Sequence, residues 1–518
     1  MRGLDMQENK ARTVKDYFDD GLSFFRRAVN WFNLRLGKVY SPNVAAITGT
    51  IIVLVMAVII LFLPPIMGVA DDGSLSEIML GTGLGYRGDD LEAPVGAYFT
   101  RLYLHSNQQT SGISTHRLLI QFAKWIDTQF THDNLFDVRY LAAIYLILYL
   151  PAVYLTLRGI VARVDVAAEA TALVIVGALV MGNAAMITYF NSLYPEAFWQ
   201  VFLLYCLGFC LALQHDREEW TQIGLIGLAI AGSLLALSEL HCAAAGLVLM
   251  IFCVRQIFME NRNKQTSTLA IIATVVLLAS SLASILGGAN RFTESSKLHA
   301  ITNGVMLRAN NPANVLKEFD IDPRFETMAD MSSFAAYPYV LVGNPDVQRD
   351  FLSHFSLGTI LLYYLKNPFD YIGLLEFGTK SAFNVNRGYV GNYEQSLGLP
   401  ERTKNQIMIT YSNFKTNSLP QTMGFLVILV IVYFILFRKQ KGLQHKVQRW
   451  TARERQIMLD TFLCFLFIGI ADITAVIFLS GTAELERYQM LYGICIDGVV
   501  MLFISEILHR TNILATEG

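Results

Sequence analysis

Three stretches hold residues whose types and spacing could do chemistry. "GVADDGSLSEIML" (68–80) sets Asp71 and Asp72 side by side, just after a long apolar run that closes in Pro64-Pro65. A carboxylate in that place can serve as a general base, taking the proton of an acceptor hydroxyl as its oxygen attacks. Two adjacent acids can also share a cation. The plainer reading is a pair of solvated acids marking a membrane edge, and Glu77, Asp89 and Asp90 read that way. "TYFNSLYPEAFWQ" (188–200) packs Tyr189, Asn191, Ser192, Tyr194 and Glu196 into a short link. Tyr and Asn pair well with sugar hydroxyls, and Glu196 adds a third acid; the competing reading is an interfacial aromatic belt. "LSELHCAAAG" holds Glu239 and His241, an acid and an imidazole two residues apart. That is a weak signal, and a polar turn is the stronger reading unless the fold brings them beside Asp71. Asp472 and Asp497 fall inside apolar runs, where an ionisable group is costly and a functional candidate by default. Their structural alternative is pairing with each other or with Arg487.

Other patterns carry less. "GTGLGY" (81–86) looks superficially like a dinucleotide loop, but no βαβ unit surrounds it. The nine histidines form no HExxH or other ligand cluster. Carboxylates alone could hold a divalent cation, so metal dependence stays open. The six cysteines lie in or beside apolar runs without zinc-ligand context and read as small hydrophobes.

The elements that must position these residues are membrane helices. The chain has 518 residues, 53% hydrophobic and 16% charged, with the apolar residues gathered into long runs. That is the pattern of an all-α polytopic membrane protein. A net charge of -2 gives no reason to expect a nucleic-acid partner. About ten spans are expected, at 46–67, 136–157, 168–188, 197–214, 221–238, 242–258, 267–287, 421–437, 457–478 and 488–506; the stretch 221–258 is compact enough for a re-entrant pair. Basic residues orient them. "RKQKGLQHKVQRWTARER" (438–455), Arg158 with Arg163, and Arg255 with Arg262 and Lys264 mark cytoplasmic turns. Both termini then lie inside, and loops 68–135 and 288–420 outside.

Four segments follow. Residues 1–45 form a cytoplasmic N-terminus with no cleavable signal peptide. Within it Phe18, Leu22, Phe25, Val29, Phe32 and Leu36 line one face of an amphipathic helix with cationic flanks, suited to the inner membrane surface. Residues 46–287 form the transmembrane core, with the external first loop 68–135. There Leu118, Phe122, Ile126 and Phe130 repeat every fourth residue, an amphipathic helix for the outer leaflet. Residues 288–420 form a partly helical external cap, and 421–518 the last transmembrane helices.

Taken in order, several stretches resemble a known group. "PPIMGVADDGSLSEIMLGTGLGY" is similar to the "ADNGDF" first-loop motif of bacterial GT-C-type membrane glycosyltransferases, hexose transferases of surface-glycan clusters. "YFNSLYPEAFWQVFLL" resembles their second external loop, and "YYLKNPFDYI", "VGNYEQSLG" and "ELERYQMLYGICID" echo further stretches in the same order, from residue 60 to about 500. Asp72 stands where that pattern has Asn, and Ser74 where it has Asp. Tyr488 replaces a frequent His, and Glu239 and His241 replace Lys and Gln.

The resemblance implies a GT-C-like bundle and an inverting transfer of sugar from a polyprenyl-phosphate donor to a cell-surface glycan acceptor, on the outer face of the cytoplasmic membrane. Nucleotide sugars are cytosolic, which independently favours a lipid-linked donor for an outward-facing site. Asp71 is the expected base, with Asp72 assisting by orientation or charge. Tyr189, Asn191, Tyr194, Glu196, Glu239, His241 and Asn392 are expected to position donor or acceptor. The lipid phosphate needs a cation, from among Arg87, Arg101, Lys297, Arg308, Lys380 and Arg387. A glycolipid transporter or flippase, and a glycan polymerase or ligase, are the rival readings; the first needs midplane polar residues and repeated halves, and no internal repeat is visible.

Overall fold

The structure is a computed structural model. It describes residues 14–511 apart from 38–39, 89–93, 107–113, 163, 165, 215–216, 260–262, 289–293, 310, 333–342, 385–386, 406, 439–451 and 484. Asp89, Asp90, Arg163, Arg262 and most of the basic stretch 438–455 lie outside the described residues, as do the side chains of Phe18, Leu22, Phe25 and Arg487.

Helix α1 (Val14–Leu36) leads into α2 (Pro42–Phe62), the first span. Ser41 caps α2 by accepting from the Val44 N–H, and Pro42 stands where a missing N–H costs nothing. Pro64-Pro65 cannot continue the helix, so the chain turns into β1 (Met67–Val69) and then α3 (Leu75–Thr82). The rest of the first loop holds β2 (Leu84–Gly85), β3 (Leu102–His105), α4 (Thr115–Phe130) and β4 (Leu135–Asp137). Strands β2, β3 and β4 form one antiparallel sheet. Helix α4 buries Ile120, Ala123 and Asp127 and exposes Leu118, Phe122, Trp125 and Phe130, as the four-residue period requires.

The bundle continues with α5 (Val138–Val161), α6 (Ala167–Met181), the short α7 (Ala184–Thr188), α8 (Glu196–Ala212), α9 (Glu218–Ala236), α10 (Ala243–Ile257) and α11 (Lys264–Gly288). After the cap come α19 (Met423–Arg438), α20 (Ala452–Ser480) and α21 (Leu485–Thr511). Every expected span coincides with a helix. Among the described residues, six helices are long and apolar enough to cross a membrane: α2, α5, α9, α11, α20 and α21. The others, α6, α8, α10 and the helix at 423–438, have 15 to 17 residues. Arg158, Arg255 and Arg453 gather at the end of the bundle away from Asp71, where Arg255 pairs with Asp460 and Arg453 with Glu218.

The cap has its own order: α12 (Glu294–Ala300), a π-turn at Ile301–Val305, α13 (Met306–Arg308), α14 (Pro312–Glu318), α15 (Pro345–Asp350), α16 (Leu357–Lys366), α17 (Pro368–Ala382), β5 (Val390–Tyr393) and α18 (Ile407–Ser418). Then follow α19, α20 and α21. One small core, including Leu298, Leu316, Phe351 and Phe355, is the cap's alone. A second joins Tyr364, Leu374 and Phe383 to Ile473, Tyr492 and Ile496 of the last two spans. The largest fills the bundle.

The cap is also stitched to the first loop. Strand β5 pairs antiparallel with β1, Gly68 opposite Asn392. The Ala70 N–H donates to the Tyr389 carbonyl at 2.8 Å, directly beside the two acids. These strands were not expected from sequence: with two to four residues each, they show no readable alternation.

Candidate active site

Asp71 and Asp72 occupy the turn between β1 and α3, and both are partly buried. Asp71 Oδ1 accepts from the backbone N–H groups of Gly73 (2.7 Å) and Leu75 (3.2 Å) at the start of α3. Gly73 sits at φ 101°, a conformation that excludes most side chains and lets the turn close this tightly. Asp71 Oδ2 accepts from the Tyr86 hydroxyl at 2.5 Å. A carboxylate has about four lone-pair sites, so three donors fix its direction and leave room for one more. Burial, then the Asp71 charge, holds the Tyr86 phenol protonated well above its ordinary range. Tyr86 is therefore a donor.

Asp72 is fixed differently. Its Oδ1 accepts from the Ser74 N–H (2.9 Å), the Ser74 hydroxyl (2.7 Å) and the Tyr194 hydroxyl (2.7 Å). The Tyr194 oxygen in turn accepts from the Asp72 N–H at 2.9 Å. One phenol thus holds both backbone and side chain of Asp72. Lys124 supports the arrangement from behind, donating to the Thr82 and Gly83 carbonyls at the C-terminal end of α3.

The 188–196 turn is buried throughout. Asn191 Nδ2 donates to the Leu61 carbonyl (3.1 Å) and the Met67 carbonyl (3.0 Å). Its amide bridges the end of α2 to β1 and so sets the entry to the acidic turn. Glu196, at the first turn of α8, is fully buried and acts electrostatically on Tyr145, Tyr189, Arg387 and Tyr389.

The cap brings the cation. Arg387 is buried, and its guanidinium donates to the hydroxyls of Tyr389 (3.3 Å) and Tyr189 (3.5 Å). Burial raises the Tyr389 phenol, and the Arg387 charge opposes that; Asp72 also acts on Tyr389. Lys404 donates to the Arg387 carbonyl, and burial lowers its ammonium below the ordinary lysine range. Asn392 is fully buried, its Nδ2 donating to the Gly96 and Ala97 carbonyls.

Other expected residues lie elsewhere or are committed. Arg101 is held by Glu394 (3.1 Å) and Asp137 (3.6 Å), so it is not a spare partner for phosphate. Arg308 donates to the Gly373 carbonyl, and Lys380 is exposed on α17. Lys297 lies in α12 among residues that pack on α20, and Arg87 follows Tyr86 at the edge of the site. No described contact brings Glu239 or His241 to Asp71. The His241 imidazole is buried between Trp199 and Tyr488 and bonded to Asp472, Nδ1 to Oδ1, at 2.6 Å. Asp497 pairs with Lys415 at 2.7 Å. The two acids therefore do not pair with each other: Asp472 meets His241 of the α9–α10 turn, and Asp497 meets Lys415 of α18.

His241, Cys242 and Asp472 are close enough to suggest a metal centre. The 2.6 Å separation is that of a hydrogen bond. Two ligands of one ion, each bonded at about 2.0–2.2 Å, stand roughly 3 Å or more apart. The trio reads as a buried acid–base pair with a thiol neighbour.

Sequence reasoning missed two residues. Tyr86 lies inside "GTGLGY", set aside as a false dinucleotide loop; its aromatic end was the usable signal. Tyr389 lies two residues after Arg387 and had no signal of its own.

An all-α polytopic membrane protein with three loop segments converging at one end of its bundle is the class that fold and site define. The chain belongs to the family described as the YfdI N-terminal transmembrane domain, whose model matches residues 32–517. No curated protein and no solved structure matches it.

Proposed function

We propose that this protein is a GT-C-type glycosyltransferase of the cytoplasmic membrane, its site on the outer face. It moves a sugar from a polyprenyl-phosphate donor to a surface-glycan acceptor. The observation that carries this reading is the convergence on one acidic turn: Asp71 fixed by Tyr86, Asp72 fixed by Tyr194, and buried Arg387 brought alongside by β5. The membership in a transmembrane family and the basic groups at the far end of the bundle support the orientation.

In the reaction, Asp71 takes the proton of the acceptor hydroxyl as its oxygen bonds to the anomeric carbon. The bond from that carbon to the phosphate oxygen breaks, and the lipid phosphate leaves with the electron pair, inverting the centre. Tyr86 and the two backbone donors keep Asp71 aimed, so little reorganisation is needed at the moment of transfer. Arg387 offers a planar fork to the departing phosphate. Asp72 orients the turn through Tyr194.

The test uses purified protein, radiolabelled polyprenyl-phosphate hexoses and a panel of glycan acceptors. Asp71→Asn should fold as the parent and transfer no sugar. Transfer at the parental rate would sink the assignment. One observation favours a glycolipid transporter instead: α18 and α19 form an interrupted element beside the buried Lys415–Asp497 pair. Lipid crossing vesicle leaflets with no sugar moved would select that reading. A chelator arm settles metal dependence.

A further inference from the structure

The α16–α17 hairpin has an apolar edge that the protein leaves uncovered. Leu361, Leu362, Leu365, Phe369, Ile372 and Phe377 are all exposed, Phe369 at 85%. A contiguous edge of this kind on a water-facing cap is unusual and marks an interaction surface.

Its depth identifies what covers it. The hairpin's other side packs on α20 and α21 through Tyr364 and Leu374. Tyr371 bonds Thr474 of α20 at 2.6 Å, and Thr379 bonds Tyr492 of α21 at 3.1 Å. Thr474 lies six residues inside the end of α20, and Tyr492 seven inside the start of α21. At 1.5 Å per residue that is about 10 Å below the ends of the two helices. Both contact points fall within the apolar stretches that qualify these helices as spans. Neighbouring α19 exposes Val427, Ile428 and Ile431, so the uncovered edge continues a lipid-facing perimeter.

Polar accounting agrees. At the break between the two helices the Asn367 N–H and Nδ2 both donate to the Tyr363 carbonyl, the Tyr371 N–H donates to the Asn367 carbonyl, and Pro368 has no N–H to satisfy. The Tyr363 hydroxyl donates to Asp370, and Glu376 accepts from the Met423 N–H at the start of α19. Backbone at membrane depth must be satisfied internally in this way. The exposed charges are Lys366 and Lys380, whose long stems reach headgroups.

We infer that the α16–α17 hairpin is embedded in the leaflet adjoining Asp71, with the Leu361–Phe377 edge against lipid hydrocarbon. Helices of 10 and 15 residues rise about 15 and 22 Å, too little to cross a core of about 30 Å, so the hairpin enters and leaves by one face. Five residues after α17 the chain reaches Arg387. On the glycosyltransferase reading, this lines the route by which a lipid-borne donor reaches the site without leaving the leaflet.

The test places spin labels on the full chain in phosphatidylethanolamine–phosphatidylglycerol vesicles. Label sites are Leu362→Cys, Leu365→Cys and Phe369→Cys. Asp346→Cys on the exposed cap is the water control, and Ile428→Cys on α19 the lipid control. The six native cysteines are buried and give a low background. The expected result is loss of broadening by a water-soluble nickel chelate and strong broadening by oxygen, matching Ile428→Cys. Chelate broadening that matches Asp346→Cys overturns the inference. So does spin–spin broadening that fades on dilution into excess lipid, which would put a second copy on this edge. Neither outcome depends on sugar transfer, so failure of the enzyme reading leaves this result standing.

Discussion

Tyr86 and Tyr194 each donate to one acid of the turn, Tyr86 to Asp71 and Tyr194 to Asp72, and each hydroxyl can be removed by one atom. Tyr86→Phe deletes the donor on Asp71 Oδ2 and leaves packing intact. A hydrogen bond to a charged group is worth about 1.5–3 kcal/mol, so kcat should fall roughly 10- to 100-fold with KM little changed. Steady-state kinetics on Tyr86→Phe and the parent checks this; a parental kcat rules out positioning by Tyr86. Arg387→Ala should weaken donor binding by at least tenfold, and Arg387→Lys should recover only part, because an ammonium lacks the bidentate fork. Binding of polyprenyl phosphate alone reads this without turnover. At this scale much was legible in the sequence. Tyr194 and Glu196 stood in a short polar link where apolar residues would have sufficed, and Asp71 stood beside a second acid just past an apolar run. Tyr86 was not, because its neighbours Gly81, Gly83 and Gly85 drew attention to a phosphate-loop pattern.

Elements were legible in proportion to their length. All ten expected apolar runs became helices, since a run of about 20 apolar residues has few alternatives. Five strands of two to four residues went unseen, because they exist through pairing with partners distant in sequence. The tie between α18 and α21 was equally hidden: Lys415 gives no hint that it meets Asp497. That pair is buried at both ends, 2% and 7% exposed. Lys415→Met should cost about 3–5 kcal/mol by stranding Asp497, whereas Lys415→Met combined with Asp497→Leu should recover most of the loss. Denaturation in detergent, compared across the double-mutant cycle, decides it. A double-variant loss equal to the sum of the two single losses would show that the pair adds no coupling.

For the whole molecule, the cap's private core predicts that cap and bundle respond differently to acid. His299 is fully buried beside that core, and burial pulls its imidazole down from 6.5 to about 4. Between those values the unfolded cap binds a proton that the folded cap refuses. The part of cap stability that rests on a neutral His299 is therefore complete above about pH 6.5 and is lost as pH falls toward 4. Protease cleavage within 294–355 should rise on acidification while the bundle helices stay protected, and His299→Gln should flatten that response. Cleavage that is indifferent to pH in the parent would contradict the assignment.

The β1–β5 pairing has a consequence in time. Gly68 emerges from the ribosome about 320 residues before Asn392, its partner. At about 5–20 residues per second, the acidic turn waits roughly 15 to 60 s for its second strand and for Arg387. During that interval the first seven spans can already sit in the membrane with their acids in place and the neighbouring cation still unmade. A nascent chain is thus born incompetent and becomes complete only late in synthesis, so a truncated copy that inserts normally still lacks half of its own clasp.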